Sequence, residues 1–296
     1  MPRACRGKLC PVVCWLNLLT FTGGNILRIA VPIKQVPDMT EVKFDVEKGR
    51  VDRSSAGAEI NPFDMNVLEA AVQIKEKLGG TITAISMGPP QAEAALKDAM
   101  ARGADRGVLL VDRAFAGADT LATSYTIAVA IKKMGEFDLI ICGEKTVDGD
   151  TGQVGPEIAE HLGIPHVAYV SRLESVEEKK MVVACDMEGV RYLIQSGFPV
   201  LITVTKDVNT PRLPSLRDKL NARKAKVEVW DAEALSSVGD KGRFGVQGSP
   251  TMVHKITIPS EEGRKGRVFR GAVDESVKGF MGEIEKAGIL GGIGIK

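Results

Sequence analysis

From residue 26 onward the chain alternates short apolar runs with amphipathic stretches. Residues 26–33 (ILRIAVPI) form a mostly apolar run, the pattern of a strand buried on both faces in a parallel sheet. Alternating runs at 42–45 and around Val51, on either side of Glu47-Lys48-Gly49, predict a small hairpin. After Asn61-Pro62-Phe63-Asp64, apolar residues recur every three or four positions at Val67, Ala71, Ile74 and Leu78, which puts them on one helix face. Asn61 is a favoured N-cap, Pro62 suits the first helical position, and Gly79-Gly80 stops the helix. The alternation continues with a strand over 81–86, a helix over 91–100, a strand over 107–111 and a helix over 120–133. A strand over 137–142 follows, then a helix marked by Val154, Ile158 and Leu162. Regular strand–helix alternation predicts an α/β fold with a doubly wound, mostly parallel sheet.

After Pro165 the spacing tightens. Strand-like runs at 166–173, 180–185 and 190–195, with a turn at 186–189, predict an antiparallel extension, and 200–204 (VLITV) is a further buried strand. From Asn209 the chain is proline-rich and basic, with Pro211, Arg212, Pro214, Arg217, Lys219, Arg223, Lys224 and Lys226. Two closely spaced prolines reject a regular core element, so 209–226 is expected to be an exposed arm or loop. Residues 231–270 are polar and glycine-rich and are expected to form an extended linker. An amphipathic helix over 273–287 follows, with Val277, Phe280, Met281 and Ile284 as its apolar face, which docks on a partner or packs on its own domain. Residues 1–25 place Arg3, Arg6 and Lys8 before an apolar stretch, but without a small-residue cleavage site, and the stretch is too short for a membrane span. The expected organisation is an unstructured extension (1–25), a nucleotide-binding α/β domain (26–230), and a linker with a C-terminal docking helix (231–296).

Composition narrows the classes. Hydrophobic residues make up 44% of the 296 and charged residues 26%, the mixture of a globular protein. A net charge of +1 supplies no field that would draw nucleic acid or anionic lipid, and no membrane insertion is expected. Five cysteines, at 5, 10, 14, 142 and 185, give an odd count without a CxxC pair, against both a disulfide framework and a metal cluster. A cytoplasmic location fits this usage.

Candidate chemistry concentrates in Gly143-Glu144-Lys145-Thr146-Val147-Asp148-Gly149-Asp150-Thr151-Gly152-Gln153-Val154, between a strand and a helix. Ligands in open α/β sheets bind outside the carboxyl ends of strands, and glycines permit close backbone approach. Thr151 or Asp150 can cap the following helix, whose first N–H groups can then meet a phosphate. The loop is neither GxGxxG nor a Walker A, so it is either an unconventional nucleotide site or an ordinary glycine-rich turn. Its Asp148 and Asp150 can accept hydrogen bonds from a ribose or stabilise the turn itself. His161, His166 and His254 lack metal-ligand spacing, and no GxSxG or SxxK nucleophile motif occurs. No catalytic side chain is expected, and the chemistry belongs to a bound cofactor.

Several motifs together resemble the electron-transfer flavoprotein β subunit (FixA) family: Lys34-Gln-Val-Pro-Asp38, Asn61-Pro-Phe-Asp64, Ser86-Met-Gly-Pro89, Gly103-Ala-Asp-Arg106, the stretch from Cys142 to Pro156, and Pro211-Arg-Leu-Pro-Ser-Leu216. The likeness runs in order from about 27 to 230. It implies a Rossmann-like fold related to adenine-nucleotide hydrolases, binding the adenosine phosphate of FAD or, alternatively, AMP. The implied contacts are Pro32, Asn61, Pro62, Phe63, Asp64, Met87 and the loop from Gly143 to Val154. The basic arm resembles the family's recognition loop, and Leu216 falls on its partner-anchoring leucine. Val36-Pro37-Asp38 and the Asp148–Gly155 stretch look like the electron-bifurcating branch, whereas the AMP branch has a longer acidic loop. The implied partners are an α subunit carrying its own FAD, NADH as donor, ferredoxin, and a quinone-linked or other dehydrogenase. A stand-alone universal-stress-type nucleotide-binding domain is the alternative, but it leaves the arm and the C-terminal helix without a purpose.

Overall fold

The computed structural model describes residues 11–13, 26–37, 43–45, 50–52, 57–252, 254 and 266–289. The chain divides into two units, Met1–His254 and Lys255–Lys296. In the first unit the strands are β1 (Pro11–Val13), β2 (Arg28–Pro32), β3 (Gln35–Pro37), β4 (Lys43–Asp45), β5 (Arg50–Asp52), β6 (Ala58–Ile60), β7 (Thr81–Met87), β8 (Arg106–Leu110), β9 (Leu139–Gly143), β10 (His166–Val176), β11 (Lys180–Met187), β12 (Val190–Gly197), β13 (Val200–Val204) and β14 (Glu228–Trp230). Its helices are α1 (Pro62–Leu78), α2 (Glu93–Ala101), α3 (Thr120–Met134), α4 (Val154–Leu162), α5 (Leu216–Lys224), α6 (Ala232–Leu235) and α7 (Gly245–Gly248).

Ten strands form one sheet in the order β1-β12-β11-β10-β13-β9-β2-β7-β8-β14. The run from β10 through β13, β9, β2, β7 and β8 to β14 is parallel, while β10, β11 and β12 pair antiparallel. This is the expected Rossmann-like sheet with its antiparallel extension. The hairpin also forms, as β4 against β5, with its turn outside the described residues.

Successive residues of each central strand serve two different cores. Ile29, Val31, Ile82, Ala84, Leu139 and Ile141 pack with Val67, Leu68 and Leu96 of α1 and α2. Ala30, Ile85, Ile140 and Cys142 pack with Ile127, Ile131 and Ile158 of α3 and α4. A strand buried on both faces needs no polar alternation, which is why these runs are continuously apolar. The connections β2–α1–β7–α2–β8 run one way along the sheet from β2, and β9 with β13 lies the other way. The strand order therefore reverses between β2 and β9, and the crevice outside their carboxyl ends is the binding position of such a fold.

Three sequence expectations are corrected. Within the segment expected to be unstructured, Pro11–Val13 pairs parallel with Leu193–Gln195 of β12; the rest of 1–25 lies outside the described residues. The arm is not all loop: after Pro214, Ser215 caps α5, its hydroxyl accepting from the Asp218 N–H at 3.2 Å, and Ala222 is buried. The prolines precede the helix rather than interrupt it.

Residues 231–250 are not linker. β14 extends the sheet beside β8, Asp231 caps α6, and Leu235 and Phe244 are 0% and 2% exposed in the second core. Phe244 meets the Phe115 ring edge-on at 5.3 Å between centroids. Isolated large apolar residues in polar surroundings supply this anchoring without any periodicity.

In the second unit α8 (Val273–Lys286) forms close to its expected bounds, with Val273, Val277 and Phe280 exposed. Phe269 stacks edge-on against Phe280, and Arg267 pairs with Glu283. No helix among the described residues is long and apolar enough to cross a membrane.

Candidate functional site

Both rims of the crevice are built by the ends of neighbouring strands. Past β2, the Ile33 N–H donates to the Ile85 carbonyl at 2.8 Å and the Lys34 N–H to Asp64 Oδ2 at 2.8 Å. Past β9, the Glu144 N–H donates to the Val204 carbonyl at 3.0 Å, and the loop then leaves the sheet. Lys34 reaches across to that loop, its Nζ lying 2.8 Å from the Asp148 carboxylate. The two rims are thus joined by this ion pair and by Asp64, whose carboxylate accepts from both the Lys34 and the Gly143 N–H groups.

Asn61 is the second tie. It stands at the N-cap of α1, but its side chain makes no capping bond. Instead its amide donates to the Lys145 carbonyl at 3.0 Å and accepts from the Val147 N–H at 3.1 Å. The capping role expected of it is corrected: the amide is fully buried, and its oxygen, which would have capped the helix, is taken by the Val147 N–H of the loop. Pro62 occupies the first helical position, as expected.

Gly143 is required by space. A Cβ there would lie 2.6 Å from Asp64 Oδ1 and 2.9 Å from the Phe63 Cβ. Beyond it the loop closes on itself, with the Asp150 N–H donating to the Thr146 carbonyl at 2.8 Å and Lys145 pairing with Asp150 at 2.7 Å. Asp150 has φ +54° and Gly152 φ +66°, both left-handed, a conformation Asp tolerates better than most residues. Neither Thr151 nor Asp150 caps α4. Gln153 is its N-cap and makes no side-chain bond to the helix, so that expectation is corrected too. With Asp150 committed to Lys145, the first N–H groups of α4 remain for an anion.

The electrostatics follow from burial. Burial pushes the Asp64 carboxyl up to about 7, against hydrogen bonds from the Lys34 and Gly143 N–H groups and from Asn61. Burial pushes Asp148 the same way, but hydrogen bonds from Lys34 and Thr146 and the Lys34 charge together outweigh it and hold the carboxyl below its usual range. Burial raises Glu144 despite its neighbour Lys145. The Cys142 thiol is pushed far up by burial and by Asp64, so it stays protonated and inert.

Pro32, Asn61, Pro62, Phe63, Asp64 and the Gly143–Val154 loop are therefore brought to one crevice. Met87 ends β7 on the other flank of β2, and Leu216 lies elsewhere, 74% exposed at the start of α5. Lys34 and Tyr169 join the crevice from outside the expected set. A register shift between Val167 and Val170 puts Tyr169 at φ +57°, with its N–H donating to Thr203 Oγ1 at 3.0 Å. Its hydroxyl lies 3.7 Å from where a Gly152 Cβ would stand. The position of Lys34 directly after the first strand was a usable sequence signal. No sequence signal marks the bulge that aims Tyr169.

A glycine-lined cradle and a helix start without a side-chain cap suit the phosphate and ribose of a nucleotide; among the described residues there, no nucleophile stands with an activating base. The family model described as "Electron transfer flavoprotein domain" matches residues 48–235. The electron transfer flavoprotein subunit beta of Thermoanaerobacterium thermosaccharolyticum is 43% identical over 265 residues, covering 89% of this chain and 100% of that protein. The protein of the same name from Clostridium acetobutylicum is 43% identical, covering 88% of this chain and 98% of its own. Subunit CarD of the caffeyl-CoA reductase–Etf complex of Acetobacterium woodii is 40% identical, covering 86% and 96%.

Proposed function

The chain belongs to the electron transfer flavoprotein family, on the side of its β subunits, and from that membership we propose that its crevice holds the adenosine diphosphate of an FAD. The observation that carries this reading is the glycine loop at the strand-order reversal, pinned from the opposite rim by both Asn61 and Lys34. A bound FAD would supply the redox chemistry, the two-electron oxidation of NADH with one electron passed toward an α-subunit FAD and a quinone-linked acceptor and the other to ferredoxin.

The chain's own residues bind and orient. Asn61 and Lys34 fix the loop, the start of α4 meets the phosphates, and Gly143 keeps the floor of the crevice clear. Residues 34–37, where Gln35, Val36 and Pro37 pair with β6, would lie on the ring side of such a cofactor. Two features favour FAD over AMP: the Val36-Pro37-Asp38 sequence with the short Asp148–Gly155 stretch, and a relative whose name places it in a CoA reductase–Etf complex. The exposed Leu216 on the basic arm is assigned to docking a dehydrogenase.

Co-expression with the α subunit, denaturation and a count of released FAD and AMP per heterodimer test this. Two FAD and no AMP are expected. One FAD and one AMP would make this chain a structural nucleotide holder and end the bifurcation reading.

A further inference from the structure

Between β13 and α5 the chain carries the start of the arm, and this stretch is welded to α1. The Arg212 guanidinium donates to Glu69 through Nε (2.8 Å) and Nη2 (3.0 Å), and to Glu76 through Nη1 (2.6 Å) and Nη2 (3.0 Å). Its own N–H donates to Glu69 at 3.1 Å, and its carbonyl accepts from Arg102, the residue after α2, at 3.0 Å. Three residues earlier the Asn209 carbonyl accepts from the Asn66 amide at 2.9 Å, and the Asn209 amide donates to the Asn66 carbonyl at 3.0 Å. Glu69 is 6% exposed, and burial would raise it, but the Arg212 hydrogen bonds outweigh burial and hold it below its ordinary range. A planar fork satisfying two carboxylates is a geometry only arginine provides.

Nothing in the crevice needs this clamp. What it holds is the arm, with Leu213, Leu216 and Leu220 exposed among Arg217, Lys219, Arg223 and Lys224. The helix it grips is the one whose first turn, at Asn61 to Asp64, lines the crevice. We infer that Arg212 is a positioning residue: it ties the partner-docking leucines to the nucleotide-binding helix, so that a docked dehydrogenase stands at a fixed place relative to the crevice. This rests on the assignment of the arm to dehydrogenase docking. The surface fits a partner with an apolar pocket rimmed by carboxylates.

The test uses the full heterodimer with purified acyl-CoA dehydrogenase as the probe and ferricyanide as a small acceptor that needs no docking. Arg212→Ala is expected to raise the KM for the dehydrogenase about ten-fold, with kcat, nucleotide content and the ferricyanide rate unchanged. It should also abolish the slow deuterium exchange of amides at 209–213. Arg212→Lys, which keeps the charge without the fork, should fall between. Should Arg212→Ala fail to fold, Glu76→Gln removes only the exposed half of the clamp and should still raise the KM. Leu216→Glu separates the two readings. If it raises the KM while the Arg212 and Glu76 variants do not, the clamp is no positioning device; if it leaves the KM unchanged, the arm assignment fails and takes the inference with it.

Discussion

Replacing Asn61 by alanine deletes a side chain that holds the nucleotide loop from both ends of its amide. The structure gives the size of the effect. Two hydrogen bonds are lost, to the Lys145 carbonyl and from the Val147 N–H, each contributing about 1 kcal/mol net. No capping term is added, because the side chain does not cap α1. The sum, about 2 kcal/mol, corresponds to roughly 30-fold weaker nucleotide binding if loop order is recovered only on binding. Thermal stability should fall as well, since Asn61 is fully buried and the same bonds hold the loop in the folded chain. Asn61→Asp discriminates more sharply. Aspartate is as good an N-cap as asparagine, so a capping role predicts a silent substitution. A loop-pinning role predicts loss, because a carboxylate would face the Lys145 carbonyl and add charge beside Asp64. The assay is titration of the nucleotide-stripped heterodimer with FAD and with AMP, followed by calorimetry. Wild-type affinity in Asn61→Asp would refute the reasoning.

Gly143→Ala drives a methyl to within 2.6 Å of Asp64 Oδ1 and should abolish nucleotide retention through purification; full occupancy would show that the strand end yields. Asp64 titrates near 7 in the folded chain and near its ordinary 3.8 when unfolded, so the folded state binds the extra proton between these values. Stability should therefore fall as pH rises from about 4 to about 7 and level off above, by at most on the order of 4 kcal/mol. Urea titrations of Asp64→Asn should lack this slope, and an unchanged slope would assign it to another group. Phe244→Ala empties a fully buried ring position and should cost roughly 3–5 kcal/mol of unfolding free energy, where a linker residue would cost nothing measurable.

How much of this was legible in the sequence depended on how local the cause was. The bounds of α4 and β13 coincide with the expected ones, because periodicity and flanking glycine or proline are written within a few residues. α5 was also signalled, by Ser215 three residues before Asp218, but the prolines at 211 and 214 dominate the reading of that stretch. The role of Asn61 was not local: its partners lie 84 and 86 residues away, so an N-cap signature and a loop pin look alike in the chain. Arg212 is further still, 143 residues from Glu69, and reads as one more exposed cation. Phe244 has no apolar neighbour at helical spacing and Leu235 only Ala232 and Val238 in a polar stretch, so only the assembled core reveals their anchoring.

The central place of β2 in the sheet has a consequence for synthesis on the ribosome. This strand emerges early, yet its neighbour β9 ends at Gly143, and β13, which covers the far edge of β9, ends at Val204. Until that point a nascent chain carries a bare, apolar strand edge, a template for pairing with other chains. The crevice draws its rims from residues 32–34, 61–64 and 143–154, so nucleotide has nothing to bind during the first half of translation and most to stabilise in the second.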